Sequence, residues 1–214
     1  QNGGKEAFLN LMRENELDAM NPIMAEAVLQ SKEMLDRTSD PQLSDMVLDR
    51  AETRQTLETA QASGSDFLLG YVRRSIDCNN LRTALRLSRM GKGLDYAQRA
   101  VNPGGSIAPE AFYEPMTPEY IDKLLAGTPL EPATESARRA LEGGGFAPLD
   151  KACDDLLIEY ARSARMVPFG EQTAIAYLLA SEAEFAAVRS VLAGKNAGLS
   201  TDKIMERLRI SYVV

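Results

Sequence analysis

A chain of 214 residues, with 44% hydrophobic and 26% charged residues, is long enough to bury one large core or two smaller ones. Its formal net charge of −7 argues against wrapping nucleic acid, which needs a Lys/Arg surface. The complete lack of histidine removes Ser-His and Cys-His nucleophile pairs, the common zinc sites and the usual general base.

Taken from the start, Gln1-Asn-Gly-Gly-Lys reads as a tag scar or a cut inside a longer gene, not as a signal peptide. Apolar periodicity and capping residues then predict helices over 5–14, 22–37, 42–62, 66–90, 94–101, 118–126, 133–142, 148–166, 170–193 and 201–211. Pro22, Pro41, Pro118 and Pro148 stand where a first helical turn tolerates proline, and Asn21, Asp40 and Thr117 precede three of them as caps. Ser65 and Ser200 supply further caps, and Gly91 and Gly194 occupy the expected left-handed C-terminal positions. Met20, Met24, Met34 and Met46 crowd the first quarter as ordinary core filling, with an adaptable apolar surface as the alternative. Period-2 alternation and hairpin turns are nearly absent, so the fold class is all-α. The longest apolar run, Ala174 to Ala180, is far short of the roughly 18 residues that cross a bilayer.

One long helical segment occurs twice. Superposing Leu81-Arg82 on Val188-Arg189 gives an offset of 107 residues and brings Gly91-Lys92 near Gly194-Lys195. A repeat of this size points to two pseudo-repeated helical bundles that act as a scaffold. The expected organisation is a lead-in over 1–40, a first copy over 41–105, short connecting helices over 106–146 and a second copy over 147–214. Asp77, Asn79 and Asn80 fall in the middle of one copy, and Glu182 and Glu184 in the other. Asn and Asp are poor interior helix formers, so contacts with neighbouring helices are expected to hold them.

Candidate chemistry is sparse. Gly91-Lys92-Gly93 and Gly143-Gly-Gly lack the preceding strand and the spacing of a phosphate loop, and read as helix-ending glycines. Asp154-Asp155 and Glu182 with Glu184 are one and two residues apart, do not face each other, and make solvated or interhelical ion pairs a better account than an acid–base dyad. Arg82, Arg86 and Arg89 share a helix face. Salt bridging within the chain is one reading of that face, and docking of an acidic partner helix is the other. Cys78 and Cys153, far apart and each within a helix, read as reduced, packed thiols. No metal site and no cofactor is indicated.

Two blocks resemble a known family. Pro168-Phe169-Gly170, then Ala176-Tyr177-Leu-Leu-Ala-Ser-Glu182-Ala-Glu184, Val188-Arg189-Ser-Val-Leu192-Ala-Gly194-Lys195 and Glu206-Arg207-Leu208-Arg209, are similar to the closing segment of the C subunit of V/A-type ATPases, related to the d subunit of the vacuolar pump. Leu48-Asp49-Arg50, Ser65-Asp66-Phe67 and Ile76-Asp77-Cys-Asn-Asn80-Leu-Arg82-Thr-Ala-Leu85-Arg86, followed by Pro103-Gly-Gly, resemble its middle segment, so the likeness runs from about residue 42 to the end. The resemblance implies a non-catalytic, funnel-shaped protein of three helical bundles, here lacking its N-terminal third. It also implies a rotor-linking place on the cytoplasmic face of the membrane. There the family joins the central-stalk subunits of the ATP-hydrolysing head to the ion-translocating ring, without a membrane span or nucleic acid of its own. Asp66, Phe67, Asp77, Asn80, Arg82, Arg86, Pro168, Phe169, Gly170, Glu182, Glu184, Arg189, Gly194 and Lys195 carry the family motifs, as structural or interface residues. Outside that family, the alternatives are a helical-repeat adaptor unrelated to ion pumps and, third, a carboxylate-based hydrolase.

Overall fold

The computed structural model describes residues 21–212, so the helix expected over 5–14 and Met20 lie outside the described residues. Among the described residues the chain forms nine α-helices and three short 3₁₀ turns, and no strand. It divides into two compact units, Gln1–Glu58 and Thr59–Val214.

In the first unit, α1 (Pro22–Thr38) begins where the Asn21 side chain accepts a bond from the Ile23 N–H at 2.9 Å, and ends at Ser39 in the left-handed region. The side chain of Asp40 accepts from Gln42 N at 2.9 Å and so starts α2, which spans Pro41–Ala62. Between the two helices the buried hydroxyls of Ser31 and Ser44 meet at 2.6 Å, and Ser44 also donates to the Ser31 carbonyl. Met24, Met34 and Met46 are half-buried.

The second unit is organised around α3 (Asp66–Arg89), capped by Ser65, whose hydroxyl accepts from Leu68 N at 3.2 Å. Cys78, Leu81, Ala84 and Leu85 recur at helical spacing and form one wall of the main core. Around them pack α4 (Leu94–Ala100), α5 (Pro118–Leu125), α6 (Thr134–Leu141) and α7 (Ala147–Arg162). The α6 residues that enter this core are Ala137 and Ala140, and such small side chains let α6 approach closely. The core thus runs from α3 through the segment between the expected copies and on to Leu149 and Cys153 of α7.

A smaller core joins Phe67, Ala161, Ala164 and Ala176. Tyr160 stacks on Phe67 with ring centroids 4.9 Å apart, and its hydroxyl donates to the Phe67 carbonyl at 3.0 Å. Gly70 permits this approach, because a Cβ there would stand 2.3 Å from the Tyr160 hydroxyl oxygen. In an ordinary helix interior, Gly→Ala gains about 0.5–1 kcal/mol. Here Gly70→Ala is expected to lower the melting temperature, and Tyr160→Phe to shrink that loss, as thermal circular dichroism of the four-member cycle will show.

The last helices differ from expectation at three points. Helix α8 spans Glu171–Asn196, passing through Gly194, which is not a cap. It is buried, and a Cβ on it would meet Ile204 at 2.8 Å, so Gly194 is the contact point that lets α9 (Thr201–Met205) lie close. The left-handed cap of α8 is Gly198 (φ 71°), matching Gly91 (φ 64°) after α3. Lys92 N bonds Leu87 O and Leu199 N bonds Gly194 O, each at 3.0 Å, the same six-to-one closure in both helices. The last residues of α3 and α8, their left-handed glycines and the first residues of α4 and α9 all stand 107 positions apart. Finally, α9 stops at Met205, where a helix was expected to continue to 211. Residues 207–212 instead run as a tail whose backbone groups are taken by α7 side chains, which stops the helix from continuing.

Candidate functional site

Of the polar residues inside α3, Asp77 and Asn80 hold a loop, not a neighbouring helix, and Asn79 is exposed and accepts from Arg82 of the same helix. Asp77 is fully buried; its Oδ2 accepts from Ser106 N at 2.8 Å and its Oδ1 from Ile107 N at 3.1 Å. One turn on, the Asn80 side chain donates to Asn102 O and accepts from Asn102 N, both at 2.8 Å. Residues three apart share a helix face, so the two side chains together clamp the Asn102–Ile107 segment. Burial pushes the Asp77 carboxyl up from its ordinary range, and the Ser106 and Ile107 N–H groups and Arg74 pull it back. The loop turns through Gly104 (φ 103°) and comes so near that a Cβ on Gly105 would lie 1.9 Å from Asp77 Oδ1.

The arginine face of α3 is bridged within the chain. Arg82 Nε lies 3.2 Å from Asp150 Oδ1, while its Nη2 donates to the Asp150 carbonyl at 2.8 Å and to Asp154 Oδ1. Arg86 donates to both carboxylate oxygens of Asp150 at 3.0 and 3.2 Å. Arg89 donates to the carbonyls of Ala140 and Gly144 and lies over the Phe146 ring at 4.9 Å, closing the end of α6. Burial works against the charge of Arg82, but the charge and hydrogen bond of Asp154 favour it, and the guanidinium is held above its ordinary value. The docking alternative for these three arginines therefore falls, since α7 and the α6 end already occupy them.

Asp154 also takes Arg209 Nε at 2.6 Å, and Asp155 takes Ile210 N at 2.8 Å while pairing with Lys151 at 3.0 Å. Lys151 donates to Leu208 O, Arg162 to Ser211 O and Arg165 to Tyr212 O. These contacts bind the tail along α7, and Tyr212 packs against the smaller core. Asp154 thus makes an interhelical ion pair, with Arg82 of α3, as the spacing suggested, while Asp155 pairs within α7 and holds the tail.

Cys78 and Cys153 are free and fully buried, and the Cys78 thiol donates to the Cys153 carbonyl at 3.7 Å. The hydrogen bond shared with Cys153, and burial, push the Cys78 thiol up. Neither cysteine is expected to react with Ellman's reagent in the native protein, and both to react in guanidinium; a native-state thiol titre above zero would contradict this packing.

The remaining motif residues part into two groups. Phe67 is buried in the smaller core, and Asp66 opens the first turn of α3. Pro168, Phe169, Gly170, Glu182, Glu184, Arg189 and Lys195 are exposed, Phe169 by 88%. Sequence reasoning did not single out Tyr160 or Asp150, and it quoted Gly105 and Arg209 only within motif runs, with no task given to either; the glycine doublet before Ser106 and the i, i+4 carboxylates of α7 were the available signals. Among the described residues no group of three acidic, Cys or His side chains is placed to hold a metal, and no helix is long and apolar enough to cross a membrane.

The amino-acid sequence has relatives among known proteins. The chain is 31% identical over 147 residues to the C subunit of the A-type ATP synthase of Halorubrum lacusprofundi, an alignment covering 66% of this chain and 41% of that one. With the protein of the same name from Haloquadratum walsbyi it shares 28% over 155 residues, 71% of this chain and 43% of the relative. The Haloferax volcanii protein of that name is 28% identical over 144 residues, 65% and 41% of the two chains. The alignments thus span about two fifths of the length of these curated relatives. No solved structure matches the chain. The family model described as ATP synthase (C/AC39) subunit matches residues 5–207, almost the whole sequence, and the chain belongs to that family.

Proposed function

We propose that the chain is a rotor-linking, non-catalytic part of a V/A-type ATPase. It passes torque between the central stalk of the ATP-hydrolysing head and the ion-translocating ring, on the cytoplasmic face of the membrane. The observation that carries the reading is the family match over residues 5–207. The architecture supports it, because a torque coupler has to resist bending, and α3 is tied to α7 by ion pairs of Arg82 and Arg86 with Asp150 and of Arg82 with Asp154. The buried and bridged carboxylates of the unit, Asp77, Asp150, Asp154 and Asp155, are each engaged in holding backbone or arginine, which leaves them no acid–base task. The common offset of the α3 and α8 ends favours two related bundles over 41–105 and 147–214, joined through 106–146 and preceded by 1–40, as two of the three that the family resemblance implies.

Reconstitution tests this reading. The protein is mixed with the central-stalk subunits and with the detergent-extracted ring, and co-elution with both is expected. Binding to neither ends the reading.

A further inference from the structure

Helix α8 leaves an apolar stripe open to solvent. Leu178, Phe185, Val188 and Leu192 are 64, 67, 55 and 57% exposed, on the side away from the buried Ala176, Ala180 and Gly194. Large apolar residues in such a row mark an interaction surface. The offset of 107 residues shows what kind. Phe185, Val188 and Leu192 correspond to Cys78, Leu81 and Leu85 of α3, which are completely buried in the core shared with α7. At the same offset Arg189 corresponds to Arg82, whose guanidinium is held by Asp150 and Asp154. Arg189 is exposed, and forms no ion pair among the described residues. So α8 carries the face that α3 uses to receive α7, with the same cation at the same register.

We propose that this face docks an amphipathic helix of a partner protein with the chemistry of α7: an apolar side flanked by two carboxylates four residues apart that fork onto Arg189. Charge fixes the direction of the guest. Exposed Glu182 and Glu184 precede Arg189 on α8, so the helix presents its carboxylates toward Arg189 and neutral or basic residues toward the glutamates. The inference rests on the correspondence of the two helices and not on a place in the pump, so it can fail while the reconstitution succeeds, and the reverse.

The probe is a hydrocarbon-stapled peptide of the chain's own 147–162 sequence with Cys153→Ser, its helicity verified by circular dichroism, titrated against the whole chain by calorimetry. Saturable binding is expected. Arg189→Glu and Phe185→Asp, both at exposed positions, should each weaken it at least about tenfold. A peptide carrying Asp150→Lys and Asp154→Lys should bind Arg189→Glu more tightly than it binds the unaltered chain. If the helical peptide fails to bind, or binds all variants alike, the proposal is overturned. Self-association of the chain that Phe185→Asp abolishes would assign the face to a second copy and overturn it equally.

Discussion

Gly105→Ala is expected to destabilise the protein by roughly 3 kcal/mol, or about 8 °C in melting temperature. The new methyl would stand 1.9 Å from Asp77 Oδ1, a contact with the charged end of a fully buried side chain that has no alternative site. Either the loop lifts or the carboxylate turns, and in both cases the N–H groups of Ser106 and Ile107 lose their acceptor in a dry interior. Asp77→Ala should cost about as much, since it orphans the same two donors. The diagnostic result lies in the double variant. Once Asp77 is truncated nothing obstructs the methyl, so Gly105→Ala added to Asp77→Ala should cost no more than about 0.5 kcal/mol further. Simple addition of the two losses in denaturant titrations would show that the glycine is needed for some other reason.

The second large effect concerns the link between α3 and α7. Arg82→Ala removes a guanidinium that is 14% exposed and touches Asp150 twice and Asp154 once. Breaking a fully buried pair costs about 3–5 kcal/mol; because the two aspartates are about one third exposed here, a loss of about 2 kcal/mol is expected. Arg82→Lys should restore less than half of it, because an ammonium cannot span both carboxylates as a planar fork does. The internal control is Arg189→Ala, the exposed counterpart on α8, which should alter stability by no more than about 0.5 kcal/mol. Equal losses at the two positions in chemical unfolding would mean that the arginine of α3 acts through helix propensity and not through its bridge.

Much of the fold was legible because its signals are local. Proline with a preceding Asn, Asp or Thr sets a helix start through atoms two or three residues away, and α1, α2 and α5 begin where those residues stand. The mid-helix Asp77 and Asn80 also announced that something must hold them, though not what. Their partners lie 22 to 30 residues on, in a loop whose path the α3 sequence does not encode. The tail misled for a related reason. The segment from Ser200 has the cap and polarity of a helix, and it is the side chains of Lys151, Asp155 and Arg162, some 50 residues earlier, that compete for the backbone groups of Leu208, Ile210 and Ser211. Gly194 looked like a cap because it is a glycine near a helix end; its task is set by Ile204 across the turn. The arginine face was readable as a surface seeking carboxylates, but the choice between an internal and an external partner depended on the placement of α7.

The doubly engaged Asp154 has a consequence for the order in which the protein assembles. It joins Arg82, 72 positions earlier, to Arg209, 55 positions later, so both arms of the junction close over long stretches of chain. Such contacts bring little reward until the intervening helices have come together, because the entropy of closing those loops must be met first. The junction is therefore expected to form after the rate-limiting step of folding and to work as a latch on the finished molecule. Asp154→Asn should leave the refolding rate nearly unchanged while accelerating unfolding. The latch would then govern how long the folded molecule lasts more than how quickly it first folds.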